Sequence, residues 1–84
     1  DALPEDIPEF AGLLVENDKG LVYLPGLLAS SALHFTNSNG DARKLIDGGG
    51  VKVGGEVVSD YELDPAALKG QVIQVGKRKF AKLM

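Results

Sequence analysis

Between Ser38 and Val58 the order of residues leaves little freedom of fold. Ser38 is a good helix N-cap, because its hydroxyl can accept one of the backbone amides that a first helical turn leaves unpaired. Asp41 follows three residues on, close to the positive end of the helix dipole, and Gly48-Gly49-Gly50 stops the run. A short helix is therefore predicted over Asn39 to Asp47. Within it Ala42, Leu45 and Ile46 fall at i, i+3 and i+4 and form one apolar face, which leaves Arg43, Lys44 and Asp47 on the other and displays two cations to solvent. After the glycines, Val51-Lys52-Val53 and Glu56-Val57-Val58 flank Gly54-Gly55, a pair suited to the positive φ angles of a tight hairpin. Lys52 points away from the face that carries Val51 and Val53.

The flanks complete a small fold. Leu21 to Leu33 is densely apolar, and Pro25 is tolerated in a first helical turn, where no amide partner is lost. This predicts a helix from Pro25 to Leu33 that is too apolar for a surface helix, with Leu24, Leu27, Leu28 and Leu33 in the core. It stops at His34-Phe35-Thr36-Asn37, with His34 suited to close it because histidine enters the left-handed region more readily than most residues. Residues 59 to 70 are looser, with one helical turn at Pro65 to Leu68. A second hairpin runs from Gln71 to Val75 and from Lys79 to Leu83, turning at Gly76-Lys77-Arg78. At the head, Asp1 to Phe10 has two prolines and no regular period, so 1–20 reads as an acidic linker or arm and 21–84 as the domain. A chain of 84 residues fits one domain and hides only about 60% of the surface its unfolded form exposes. The class is α+β: two short helices packed on a small antiparallel sheet of hairpins.

Several chemistries are excluded. There is no cysteine, hence no disulfide, thiolate-bound zinc or cysteine nucleophile. The single histidine, His34, lacks the partners of a catalytic or metal site, so no catalytic and no metal residue is expected. Asp60, Glu62 and Asp64 alternate but lack the glycine and the glutamate of a calcium loop. The glycine runs follow a helix or join strands, whereas a phosphate loop leads from a strand into a helix. No apolar run approaches the roughly 18 residues of a membrane span, so no membrane partner is expected. The chain opens on Asp1 without a charged-then-apolar leader and is expected to be a piece of a longer protein.

Charge supplies a positive indication. The net charge of −3 conceals an acidic head, with six acids and no base in residues 1–18, and a body in which nine bases face six acids. From Lys69 to Met84 there are five bases and no side-chain acid. A run of bases is ordinarily a solvated face, and Arg43 has an alternative role as an i,i+4 partner of Asp47. Polyanion binding requires such charges to converge. The candidates are Arg43 and Lys44 on the helix, Lys52 on the hairpin and Lys77-Arg78-Lys79 at the last turn, joined by the free amides at Ser38 to Gly40. Tyr23, Phe10 and Phe35 are expected to be packed, leaving Tyr61 or Phe80 available. Shape and backbone recognition of folded RNA is thus expected rather than base stacking.

The stretch from Ser38 to Asp60, SNGDARKLIDGGGVKVGGEVVSD, resembles the core of the S-four-type RNA-binding domain, in which a serine opens a helix with Ala-Arg-x-Leu-Ile and a glycine turn leads to a Val-x-Val hairpin (the alpha-L motif). With the Ile-Pro-Glu lead-in at Ile7 to Glu9 and the ending from Val75 to Leu83, VGKRKFAKL, it is similar in particular to the C-terminal domain of bacterial-type tyrosyl-tRNA synthetases. The resemblance implies a tRNA-binding tail of a tyrosine-tRNA ligase that holds the tRNA's long variable arm. The parent would be a cytoplasmic homodimer, and the isolated fragment a monomer. ATP and tyrosine would belong to an upstream catalytic domain, so the fragment itself would carry no cofactor and no catalytic residue. RNA contacts carried over from the family are Ser38, Asn39, Arg43, Lys44, Lys52, Lys77, Arg78 and Lys79. Two departures are His34, where glycine is usual, and Gly54, where asparagine is frequent. The first helix also lacks the basic residue that many relatives carry at its start. The same type of domain is appended to pseudouridine synthases and ribosome-associated proteins, and a protein-interaction module is a further alternative.

Overall fold

The computed structural model describes residues 6–84 of the chain, so the first five residues of the expected acidic arm lie outside it. Its elements are β1 (Glu9–Phe10), β2 (Val22–Tyr23), α1 (Leu24–Leu28), α2 (Asn39–Asp47), β3 (Val51–Val53), β4 (Glu56–Val57), β5 (Glu62–Leu63), α3 (Pro65–Leu68), β6 (Val72–Val75) and β7 (Lys79–Leu83). The class is α+β, as expected.

Local chemistry accounts for the helices. In α2 the Ser38 hydroxyl accepts from the Asp41 amide at 3.1 Å, and the helix ends on Gly48, with Gly49 in the left-handed region at φ 76°. Its ends are those predicted. In α3 the Asp64 carboxylate accepts from the Ala66 amide at 2.9 Å, with Pro65 in the first turn. The first helix departs from expectation: it runs from Leu24 to Leu28 and does not reach Leu33. The Ser30 hydroxyl donates to the Leu27 carbonyl at 2.7 Å and accepts from the Leu33 amide at 3.4 Å, giving the backbone an alternative to further helix. His34 does take the left-handed conformation, at φ 48°, and its amide donates to the Ser30 carbonyl at 2.7 Å. It therefore closes the turn after the helix. The amides of Phe35 and Thr36 then both donate to the Leu28 carbonyl, which turns the chain back toward α2.

The main sheet has the order β1-β7-β6-β3-β4, antiparallel except for β1, which lies parallel on β7 with Glu9 opposite Lys82 and Phe10 opposite Leu83. Within the stretch read as an arm, residues 9–10 are thus an edge strand, secured further by the Lys82 amide donating to the Pro8 carbonyl at 2.8 Å. A separate antiparallel ribbon pairs β2 with β5, Val22 opposite Leu63 and Tyr23 opposite Glu62. Neither pairing was expected. The ribbon is tied to the preceding loop through Glu62, which accepts from Lys19 at 3.1 Å and from Asn17 at 2.6 Å. Lys19 first, and Asn17 after it, hold the Glu62 carboxyl below its ordinary range.

Cross-strand register assigns the faces of the main sheet. Val51, Val75 and Lys79 form one row and Val53, Ile73 and Ala81 the next, all on the side covered by the helices. There Leu24, Leu28, Ile46, Val51, Leu68, Ile73 and Leu83 are fully buried, and Leu27 and Leu33 join the core as predicted. The β3–β4 turn needs its glycines, since Gly54 and Gly55 have φ of 60° and 87°. A Cβ at Gly54 would also lie 2.7 Å from the Gln71 side-chain oxygen. That oxygen ends a flexible, exposed side chain and can move, whereas the φ strain cannot. Gly54→Ala is expected to lower unfolding stability by about 1–2 kcal/mol and Gly54→Asn by clearly less, because asparagine tolerates the left-handed region. Urea denaturation of the two variants checks this, and equal losses would count against turn strain as the cause.

Candidate nucleic-acid interface

The helix α2 organises the candidate site. Its N-terminus exposes Ser38 and Asn39, and Lys44 projects to solvent from its last turn. Arg43, expected on solvent, is half-buried and donates to the Tyr23 hydroxyl of β2 at 2.9 Å. Asp47, its possible i,i+4 partner, instead accepts from the Tyr61 hydroxyl at 2.7 Å. This hydrogen bond first, with burial and the Asp47 charge behind it, raises the Tyr61 phenol above its ordinary range. Tyr61, counted above as an available aromatic, is thereby engaged on the helix. Two tyrosines from the ribbon side thus hold the polar residues of α2, one fixing the guanidinium and the other occupying the carboxylate.

Lys79 is the first residue of β7 and shares a row with Val75 on the helix-covered face. Its ammonium donates to the Phe35 carbonyl at 2.9 Å, on the loop that leads into α2. Lys79, Lys44, Asn37 and His34 therefore line one open groove of ≈ 520 Å³, which Asp41 also borders. The floor is stiffened by Thr36, buried, whose hydroxyl donates to the Ser38 carbonyl at 3.1 Å. Lysines converging on a groove beside a capped helix N-terminus can neutralise phosphates, with the exposed amides at the start of α2 as added donors.

The remaining candidates lie elsewhere. Lys77 and Arg78 are exposed on the β6–β7 turn, beyond the end of the groove. Lys52 pairs with Val57 and Gln74 and so occupies the sheet face turned away from the helices. The predicted set is thus split between two faces rather than gathered on one. Tyr23 and Asn37 escaped the sequence analysis as site residues. Tyr23 is distant in sequence from Arg43, and nothing in its local pattern signals that they meet.

Over 81 residues the chain is 43% identical to the tyrosine–tRNA ligase of Moorella thermoacetica, and over 80 residues 46% identical to that of Geobacter sulfurreducens. These alignments take in 96% and 95% of this chain. The chain is homologous to a domain of tyrosine–tRNA ligases. It spans 18% and 19% of the length of those two ligases, and 18% of that of Photobacterium profundum, to which it is 40% identical over 88 residues. No protein-family model matches the chain. The ligase homology agrees with the resemblance to tyrosyl-tRNA synthetases carried by Ser38–Asp60 together with Ile7–Glu9 and Val75–Leu83. Among the described residues, no helix of this ligase-associated domain is long and apolar enough to cross a membrane.

Proposed function

We propose that this is the C-terminal, S-four-type RNA-binding domain of a tyrosine–tRNA ligase, and that it holds the long variable arm of tyrosine tRNA. The observation that carries the reading is the convergence of Lys44 and Lys79 on one groove beside the N-terminus of α2. Ser38, Asn39 and the pre-set guanidinium of Arg43 extend that cationic and amide-rich surface along the helix. Such an arrangement reads the spacing of phosphates, which suits recognition of a folded stem by its shape. Lys77 and Arg78 extend the positive surface past the groove, where a second stretch of backbone would lie. On this reading tyrosine activation with ATP is carried out by the part of the ligase outside this chain, and the domain contributes affinity and orientation of the tRNA.

The test is a titration of the chain with tyrosine tRNA, intact and with its variable arm shortened, at two salt concentrations. Affinity for the intact tRNA is expected to fall steeply with salt, with a slope in log–log form of roughly −0.7 to −0.9 for each phosphate neutralised. Shortening the arm is expected to weaken binding. Equal affinity for both RNAs would overturn variable-arm recognition and favour another RNA, and a flat salt response would favour a protein-interaction role.

A further inference from the structure

The sheet face opposite the helices is not used by the groove. Register places Val57, Lys52, Gln74 and Phe80 in one row across β4, β3, β6 and β7, and Val72, Lys82 and Glu9 in the next. Phe80 and Val72 are half-buried yet are not among the hydrophobics packed against the core, and Val57 is 57% exposed. Phe80 therefore presents part of its ring to solvent from the middle of a sheet, a rigid platform. Cations surround it: Lys82 two residues on along the same face, Lys52 two strands away at about 10 Å, and Arg78 at the adjoining turn. Glu9, opposite Lys82, is the one acid in these rows. The Gln74 amide, beside Phe80, donates to the Gly76 carbonyl at 3.0 Å, which steadies the turn and leaves its own oxygen as an acceptor.

An exposed aromatic edge flanked by two lysines on a sheet face suits one kind of partner. The cores of protein–protein interfaces are depleted in lysine, whereas single-stranded nucleic acid is bound by aromatic platforms set among cations that track the backbone. Paired bases are already stacked and cannot use such a platform. We propose that this face is a second RNA-binding surface, on which an unpaired nucleobase stacks on Phe80 while flanking phosphates are held by Lys52 and Lys82. It rests on RNA being the partner of the domain but is independent of the helix-side groove and of variable-arm recognition. It also gives Lys52, which the fold separates from α2, a role of its own.

The test is an amide-shift NMR titration of the full chain with a short oligouridine, and in parallel with an RNA duplex of the same length. Oligouridine is expected to shift the amides of β6, β7 and β3. Phe80→Leu, which keeps an apolar side chain, is expected to weaken its binding about 5- to 100-fold, while Phe80→Tyr stays within about 2-fold. Lys69→Glu, an exposed lysine outside the groove and outside these rows, is expected to leave oligouridine binding unchanged, while Lys44→Glu, on the groove, weakens the duplex. An amide spectrum of free Phe80→Leu that keeps the dispersion of the parent chain guards against misfolding as the cause. Unchanged oligouridine affinity in Phe80→Leu, shifts confined to α2, or no binding of oligouridine to a chain that still binds the duplex would each overturn the second surface. No binding of either RNA to a folded chain would overturn both surfaces. Loss of the variable-arm effect alone, with oligouridine binding retained, would support the second surface while removing the function proposed above.

Discussion

Leu28→Ala is expected to lower the unfolding free energy by about 2–5 kcal/mol, the range for deleting a buried leucine side chain and leaving a cavity. Leu28 is fully buried at the end of α1, where the helix packs on α2, and its carbonyl accepts the Phe35 and Thr36 amides that start the return loop. Small domains hold roughly 5–15 kcal/mol in all, so the loss is a large fraction of the total. Because the loop that Leu28 supports also carries the Phe35 carbonyl bound by Lys79, the groove should loosen as stability falls. Urea denaturation followed by circular dichroism measures the change. Val57→Ala, on the open face, provides the comparison and should stay within about 0.5 kcal/mol. A Leu28→Ala loss below about 1 kcal/mol would contradict the placement of α1 in the core.

Lys44→Glu is expected to weaken RNA binding at the groove about tenfold or more, and to reduce the salt slope by about one. Lys44 is exposed and makes no ion pair among the described residues, so its reversal removes a cation from the groove without leaving a buried partner unpaired. A hydrogen bond to a charged group contributes about 1.5–3 kcal/mol, and each 1.4 kcal/mol is a factor of about ten in affinity. The double change Lys44→Glu with Lys79→Glu should lose more, although not additively, because both side chains border one groove. Lys69→Glu is the control, an exposed lysine just beyond α3 that lines no part of the groove. If Lys69→Glu weakened RNA binding as much as Lys44→Glu, general positive charge rather than the groove would be responsible.

The two helices show how far local signals reach. Ser38, Asp41 and the glycines after Asp47 act within a few residues of the backbone groups they satisfy, so both ends of α2 were legible from the sequence. The same holds for the Gly54-Gly55 turn, for Pro65–Leu68 and for the left-handed His34. Helix α1 is shorter than its apolar run suggests. Apolar density alone continues the helix through Ala29 to Leu33, whereas one hydroxyl, that of Ser30, competes for the backbone there.

The two-residue strands lie beyond such signals. Glu9–Phe10 and the pairing of Val22–Tyr23 with Glu62–Leu63 carry no period of their own and exist because distant segments arrive beside them. The residue types of the candidate site, its serine cap and its cations, were also set out in the sequence, since chemistry belongs to side chains. Their grouping was not. A strand's side chains alternate between faces, so one step of register sends Lys79 to the helices and Lys52 to the open side. Chain order determined which segments become helix and turn through nearest-neighbour hydrogen bonding, and long-range pairing alone determined which cations share a surface.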